Sequence, residues 1–347
     1  MKRVVRSRSS VSLPSGISPL SGVLPGSSFS FLALFLVLTL SFQTGYANQS
    51  AKQKFVDRLV KIHAFDEKWL SDYLARAETK ESILEAMRRP AEKVLEWKDY
   101  QKIFLTDNRI KLGKEFLKKY KKTFDRAERE TGVPREIVAA IIGVETRYGK
   151  NRGSYRVLDA LSTLAFDYPP RSKFFTSELE HYFLLVREQG FDPAALKGSY
   201  AGAMGYGQFI PSSYRHYAID FDGDGVVDIL DNPVDAIGSV ANYFRQHKWK
   251  KGAPIAEAAR VTGQQFTKLL HKKLKPRHKV ADMRKHGVQV SSKLDSKEPA
   301  RLMKLVGKSG DEFWVGLHNF YVITRYNHSE MYALAVYQLS QKLSQEP

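Results

Sequence analysis

Residues 134–149 read Pro-Arg-Glu-Ile-Val-Ala-Ala-Ile-Ile-Gly-Val-Glu-Thr-Arg-Tyr-Gly. Ile137, Ala140, Ile141 and Val144 recur at helical spacing and mark a buried face. Pro134 suits a first helical turn, and Gly149 suits a stop. The helix framed in this way is mostly apolar, yet it carries a carboxylate, Glu145, close to its end. A carboxyl group held partly out of water prefers its neutral form, which fits it to act as a general acid. Taken alone, Glu145 reads more simply as a helix-end glutamate, exposed or paired with Arg147.

Outward from this helix the pattern stays helical. Phe55, Leu59, Val60 and Ile62 have helical spacing, as do Leu70, Tyr73 and Leu74, then Ile83, Leu84 and Met87. A long charged segment from Asn108 to Glu130 carries Ile110, Leu112, Phe116, Leu117, Tyr120 and Phe124 on one stripe. Further helices are expected over 173–189, over 233–246 (opening at Pro233), and from 318 onward, where Tyr332, Ala335, Val336 and Leu339 keep the period. Between 250 and 317 the period weakens. Gly287–Val290, Arg301–Val306 and Glu312–Val315 are β-compatible pieces among Gly, Ser and Lys, which predicts a small β-rich insertion. The chain is therefore expected to be mainly α. Its expected parts are an N-terminal helical domain over 48–130, a core over 131–249, the insertion over 250–317, and a helical part over 318–347 that completes the core.

The 347 residues suffice for two or three small domains. Lys and Arg number 55 against 37 Asp and Glu, a formal charge of +18, which favours a polyanionic partner without choosing one. The N-terminus narrows the choice. Lys2, Arg3, Arg6 and Arg8 precede a Ser/Pro/Gly-rich stretch, an apolar run from Phe29 to Phe42, and Thr44-Gly45-Tyr46-Ala47. This order reads as a cleavable signal peptide over 1–47, and the apolar run is short for a bilayer span of roughly 20 residues. Export to the periplasm argues against nucleic acid as a partner. The sequence has no cysteine, so disulfides, thiolate chemistry and cysteine-based metal sites are excluded. A lipid anchor attached through cysteine is excluded with them.

Three more segments carry chemistry. Ser199-Tyr200-Ala201-Gly202-Ala203-Met204-Gly205-Tyr206-Gly207-Gln208-Phe209 holds three glycines in six residues, which lets backbone approach a ligand closely. Tyr206 and Gln208 would add a stacking face and an amide, the equipment of a sugar subsite; the same stretch would also serve as a tight connection between helices. Asp220-Phe221-Asp222-Gly223-Asp224-Gly225 places acids at positions 1, 3 and 5 and glycine at 6, as in a calcium loop. Val226 at position 7 would contribute its carbonyl, and Asp231 stands where the usual Glu would be, with Asp235 four residues on. Three clustered aspartates without a cation would repel one another; the competing reading is a solvated acidic turn. Finally, Ile323-Thr324-Arg325-Tyr326-Asn327-His328-Ser329 sets Tyr326 and Asn327 where they could face a cleft or sit on a surface loop.

Together the segments GVETRYG, YAGAMGYGQFIPSSY, DFDGDG with NPVDAIGSVANYF, and NFYVITRYNHS resemble the membrane-bound lytic transglycosylase B family over residues 97–340. The resemblance implies a lysozyme-like helical core acting on peptidoglycan glycan strands. It implies Glu145 as the catalytic acid and base. Ser199 and Asn327 would orient Glu145 and the sugar's N-acetyl group, and Gln208, Tyr243, Tyr326 and Tyr332 would line the cleft. It also implies a structural calcium in a loop over 220–235, on Asp220, Asp222, Asp224, the Val226 carbonyl and Asp235. The absence of a cysteine departs from the family's lipid-anchored members, so that anchor is not carried over. Other cell-wall enzymes remain open as partners.

Ordinary glycosidases use two carboxylates. The motifs here offer one, and Asp167, Glu178 and Glu180 are expected to be structural. A single carboxylate suffices if the substrate supplies its own nucleophile, closing a 1,6-anhydro ring without water. A hydrolytic muramidase on the same core and a non-catalytic wall lectin are the rival readings. Reducing rather than anhydro product ends would mark the first, and Glu145 with Ser199, Gln208 and Asn327 argues against the second.

Overall fold

The computed structural model describes residues 48–88 and 95–345; the expected leader over 1–47 lies outside the described residues. The described residues from Ser50 onward form one compact unit. At its centre lies the helix Arg135–Thr146, in which every residue from Ile137 to Val144 is buried. Such a helix is apolar all round and belongs in a core. Each fully buried Ile or Val contributes about 1.5–3 kcal/mol, so this element alone supplies much of the driving force for closing the body around it.

The helix starts one residue later than the sequence predicts, because Pro134 is its cap (φ −57°, ψ 134°) and not its first turn. The charged stripe from Asn108 to Glu130 is two helices, Asp107–Lys119 and Lys121–Thr131, broken at Tyr120 (φ −108°, ψ 28°). Helices Ser172–Gln189 and Pro233–Gln246 lie where the sequence puts them. Helix Val157–Asp167 does not announce itself in the sequence: residues Val157–Ala165 are all buried, so no polar face marks a period.

The β structure is a five-stranded antiparallel sheet. Its strands run His278–Lys279, Pro299–Gly307, Gly310–Gly316, Ala256–Val261 and Val288–Gln289 in spatial order. The hairpin joining Pro299–Gly307 to Gly310–Gly316 closes on Gly307↔Gly310. Ala300 and Leu302 pack into a small core with Val280, Met283, Val288, Val315 and Leu317. Met303 and Leu305 belong instead to the main core. The sheet is thus sealed to the helical body through one face of its longest strand. Two short strands outside it, Tyr155–Arg156 and Lys197–Gly198, pair antiparallel, and a Cβ on Gly153 would lie 2.5 Å from the Ser199 nitrogen.

Candidate active site

Glu145 is the penultimate residue of the central helix and is half-buried. What stops the helix just beyond it is a run of left-handed residues, Arg147 (φ 51°), Tyr148 (φ 60°) and Gly149 (φ 85°). For the two non-glycine residues this backbone costs about 1–2 kcal/mol each, so packing must hold it. The Arg147 amide donates to the Gly143 carbonyl (3.1 Å) and the Tyr148 amide to the Ile142 carbonyl (3.3 Å). Thr146 Oγ1 donates to the Tyr206 carbonyl (2.9 Å) and accepts from the Gly149 amide (3.0 Å). The Tyr148 ring folds back under the helix, where a Cβ on Gly143 would meet it at 2.6 Å. Glycine at 143 is therefore demanded by close approach, despite its low helix propensity.

Tyr332 is 2 % exposed, and its hydroxyl donates to Glu145 Oε1 at 2.6 Å. It is carried by the helix Glu330–Ser344, whose cap Ser329 accepts from the Tyr332 amide (3.2 Å). Burial first, then the Glu145 charge, pushes the Tyr332 phenol well above its ordinary value. Tyr326 is shifted in the same direction for the same two reasons. Both rings therefore remain neutral O–H donors beside the carboxylate.

A groove of about 280 Å³ is lined by Gln208, Tyr243, Tyr326, Arg171, Phe174 and His328, among others. The structure thus brings Gln208, Tyr243 and Tyr326 together. Their polar ends are largely engaged by the protein. Tyr243 donates to the Arg325 carbonyl (2.7 Å), Tyr326 to the Gly207 carbonyl, and the Gln208 amide nitrogen to the Arg152 and Gly205 carbonyls (3.2 and 3.1 Å). The rings of Tyr243 and Tyr326 meet edge to face at 4.8 Å. The hydrogen bonds fix these side chains in the wall of the groove, with Tyr243 stacked on His247 (4.1 Å) and Tyr326 on Phe244 (5.7 Å). Arg171 and Phe174 were not singled out in the sequence; the guanidinium lies 4.3 Å over the Phe174 ring at the groove's edge. Tyr206, expected as a stacking face, packs instead on Gly149, where a Cβ would meet its ring at 2.1 Å.

Ser199 and Asn327 lie in turns and are not among the residues that line the groove. Ser199 Oγ accepts from the Ala201 and Ala203 amides (3.3 and 3.1 Å), which shapes the loop. Asn327 follows Tyr326 in extended backbone (φ −137°, ψ 128°) and is half-buried. In the Ser199 loop Gly205 combines φ +71° with the Ile229 carbonyl, which would lie 2.2 Å from a Cβ. Gln208 is left-handed too, at φ 51°, a strained backbone for an amide side chain that faces a cleft.

The acidic loop gathers Asp220, Asp222 and Asp235, one oxygen of each lying within 4.8 Å of the others. Asp224 is outside this group, its Oδ1 accepting from the Val226 amide (2.8 Å). Val226 is exposed. Asp231 turns away to pair with Arg152 (2.8 Å). Asp235 is fully buried, accepting from the Phe221 and Asp228 amides (2.6 and 2.8 Å), and burial pushes its carboxyl upward. Asp220 is held below its usual range by the Gly225 amide foremost. An all-oxygen donor set of this kind fits a hard cation such as calcium.

The other carboxylates near Glu145 in sequence are occupied elsewhere. Glu178 accepts from the Ser212 amide (3.0 Å) and hydroxyl (2.8 Å), capping helix Pro211–Tyr217 from outside. Glu180 pairs with Arg58 and His63, each at 2.7 Å, and Asp167 accepts from Thr79 (3.0 Å).

The lysozyme-like helical core is that of the peptidoglycan lytic transglycosylases, lyases that act on polysaccharide. Residues 47–341 match the transglycosylase SLT domain, and the chain belongs to that family. It is 43 % identical over 308 residues to membrane-bound lytic murein transglycosylase B of Escherichia coli K12, covering 86 % of this chain and 84 % of that protein. Its fold matches the soluble lytic transglycosylase SltB1 of Pseudomonas aeruginosa, with TM-score 0.81 and 48 % identity over 84 % of this chain and 98 % of that one. It also matches E. coli Slt35 in complex with calcium, with TM-score 0.78 and 44 % identity over 85 % and 92 % of the two chains. More distant is P. aeruginosa SltB3 in complex with NAG-anhNAM-pentapeptide, with TM-score 0.74 and 29 % identity over 86 % and 79 %.

Proposed function

We propose that this murein transglycosylase cleaves the β-1,4 bond between N-acetylmuramic acid and N-acetylglucosamine without water, using Glu145 as acid and then as base. The observation that carries the reading is the 2.6 Å hydrogen bond from buried Tyr332 to a half-buried Glu145, with the neighbouring carboxylates engaged in structural contacts. Glu145 donates its proton to the oxygen leaving C1, and the N-acetyl carbonyl of the same sugar closes on C1 as an oxazolinium-like ring. Tyr332, a fixed neutral donor, stabilises the carboxylate formed in that step. Glu145 then takes the proton of the C6 hydroxyl as O6 attacks C1. The bond from C1 to the carbonyl oxygen breaks, which restores the N-acetyl group on C2, and a 1,6-anhydro ring forms. The anhydro-muramic fragment held by SltB3 supports this outcome.

Gln208, Tyr243 and Tyr326 would line the sugar path, and Ser199 and Asn327 would orient Glu145 and the N-acetyl group. Calcium would be held by Asp220, Asp222 and Asp235, with Asp224 and the Val226 carbonyl completing the set. Bound there, it would tie helix Pro233–Gln246 to the loop before it and take no part in proton transfer. The calcium complex of Slt35 supports the assignment. The parts assigned are a leader over 1–47, an N-terminal helical domain over 48–130, the core over 131–249 with 318–347, and the insertion over 250–317. No described helix is long and apolar enough to cross a membrane. We assign the protein to the periplasm on the strength of its leader. Glu145→Gln, incubated with sacculi, should release no anhydro-ended muropeptides while still pelleting with them. A general acid is worth about 10²–10⁴-fold in rate, so turnover above a tenth of the parent's would defeat the single-carboxylate mechanism. Reducing ends in the parent's products would mark a hydrolase.

A further inference from the structure

A second cavity, of about 450 Å³, lies between helices Ser172–Gln189 and Pro211–Tyr217, with His181, Ser213, Arg215, His216 and Tyr217 in its lining. It adjoins the sugar groove: Ser213 lines both, and the Tyr217 ring meets the groove's Tyr243 edge to face at 4.7 Å. Phe174 in the groove and His181 in the cavity stand two turns apart on one face of the same helix. At 1.5 Å per residue that step is about 10 Å, close to the length of one disaccharide repeat. Glu178, on the same face between them, fixes the neighbouring Ser212 through its amide and hydroxyl (3.0 and 2.8 Å). Arg215 gives Nε and Nη2 to Glu188 (2.8 and 2.6 Å) and Nη1 to His181 Nδ1 (2.6 Å).

The last of these bonds sets the chemistry of the cavity. A guanidinium only donates, so His181 Nδ1 accepts and the imidazole proton sits on Nε2. Among the described residues His181 Nε2 has no hydrogen-bond partner, and neither has the Ser213 hydroxyl. The Arg215 charge is already met by Glu188 in a bidentate pair. The cavity therefore offers neutral donors, which suit the hydroxyl and acetamido oxygens of a sugar and give no preference to an anion. We propose that it is a further glycan subsite, holding the next disaccharide repeat of the strand beyond the groove through His181 Nε2 and the Ser213 hydroxyl. This rests on the murein-cleaving reading above and extends the path of the strand along helix Ser172–Gln189.

The test measures binding by calorimetry to the full chain carrying Glu145→Gln, which leaves the strand uncut. The ligands are stem-free murein glycan of one and of three disaccharide repeats. Two hydrogen bonds exchanged with water are worth roughly tenfold in Kd, about threefold each. His181→Leu should raise the Kd of the three-repeat strand by about threefold and leave that of the one-repeat ligand within about twofold. Ser213→Ala removes a hydroxyl bonded to none of the described residues, so this variant folds. It should weaken the longer strand by a similar factor, and the two substitutions together should raise its Kd about tenfold. Because the donors are neutral, these ratios should hold as salt is raised. A three-repeat Kd unchanged in the double variant overturns the subsite. So does a rise equal for both lengths, which would confine the two groups to the groove, or a rise that vanishes at high salt, which would mark an anion. Anhydro ends released from sacculi by the parent test the murein-cleaving reading separately. Their presence with an unmoved Kd leaves that reading standing without the subsite, and their absence removes both.

Discussion

Replacing Tyr332 by Phe deletes a single oxygen, the one that donates to Glu145 Oε1 at 2.6 Å. The ring is 2 % exposed and packed on all sides, so the phenylalanine keeps its place and little else changes. A hydrogen bond to a charged group is worth about 1.5–3 kcal/mol. The bond is made to the carboxylate that appears once Glu145 has given up its proton, so the loss falls on the transition state and not on substrate binding. At about 1.4 kcal/mol per decade, kcat should fall roughly 10- to 100-fold, with KM nearly constant. The assay is the release of anhydro-ended muropeptides from sacculi, with circular dichroism as the control for folding. A kcat within twofold of the parent, or a loss confined to KM, would refute the role given to Tyr332.

Gly205→Ala must place a Cβ 2.2 Å from the Ile229 carbonyl at φ +71°. The left-handed backbone and the clash together should cost about 2–4 kcal/mol, lowering the thermal midpoint by several degrees. Glu178→Gln should weaken the external cap on helix Pro211–Tyr217 by about 1 kcal/mol in a melting curve. It should leave turnover per folded molecule intact, and a hundredfold loss of turnover would reopen a two-carboxylate mechanism. Calcium at a hundred times its dissociation constant should stabilise the protein by about 2.7 kcal/mol, an effect that Asp222→Asn with Asp235→Asn should abolish; identical melting with chelator and with calcium would rule the site out.

Periodicity in the sequence located the central helix because Ile137, Ile141 and Val144 keep it between a proline and a glycine. The same signal fails for Val157–Asp167, which is buried on every side, and for two-residue strands such as His278–Lys279, which are too short to have a period. Strand Ala256–Val261 went unread for another reason: Ala-Glu-Ala-Ala-Arg-Val has weak β-propensity, and its place between two partners decides its conformation. For the site, motif order led to Glu145 and to the groove tyrosines. It could not tell that Tyr332 spends its hydroxyl on Glu145, since that pairing spans 187 positions. Arg171 and Phe174 were invisible because an exposed Arg followed by aromatics carries no mark of a cleft until the fold brings Tyr243 and Tyr326 opposite. Counting positions placed Asp231 twelfth in the acidic loop, but the ion pair with Arg152 draws that carboxylate away and leaves Asp235 to converge with Asp220 and Asp222.

Strand Pro299–Gly307 serves two interiors at once, Ala300 and Leu302 inward to the small core, Met303 and Leu305 outward to the large one. The insertion is therefore not a cassette that can be cut out and exchanged. A graft from a relative would have to bring alternate residues that suit its own sheet while accepting the host's residues at the intervening positions. Shortening the hairpin by a single residue would swap the two sets, turning Lys304 into the helical body. Deleting the insertion outright would leave the seat of Met303 and Leu305 open to water. Chimeras that retain this strand from the host and replace only what lies beyond it are the ones expected to fold.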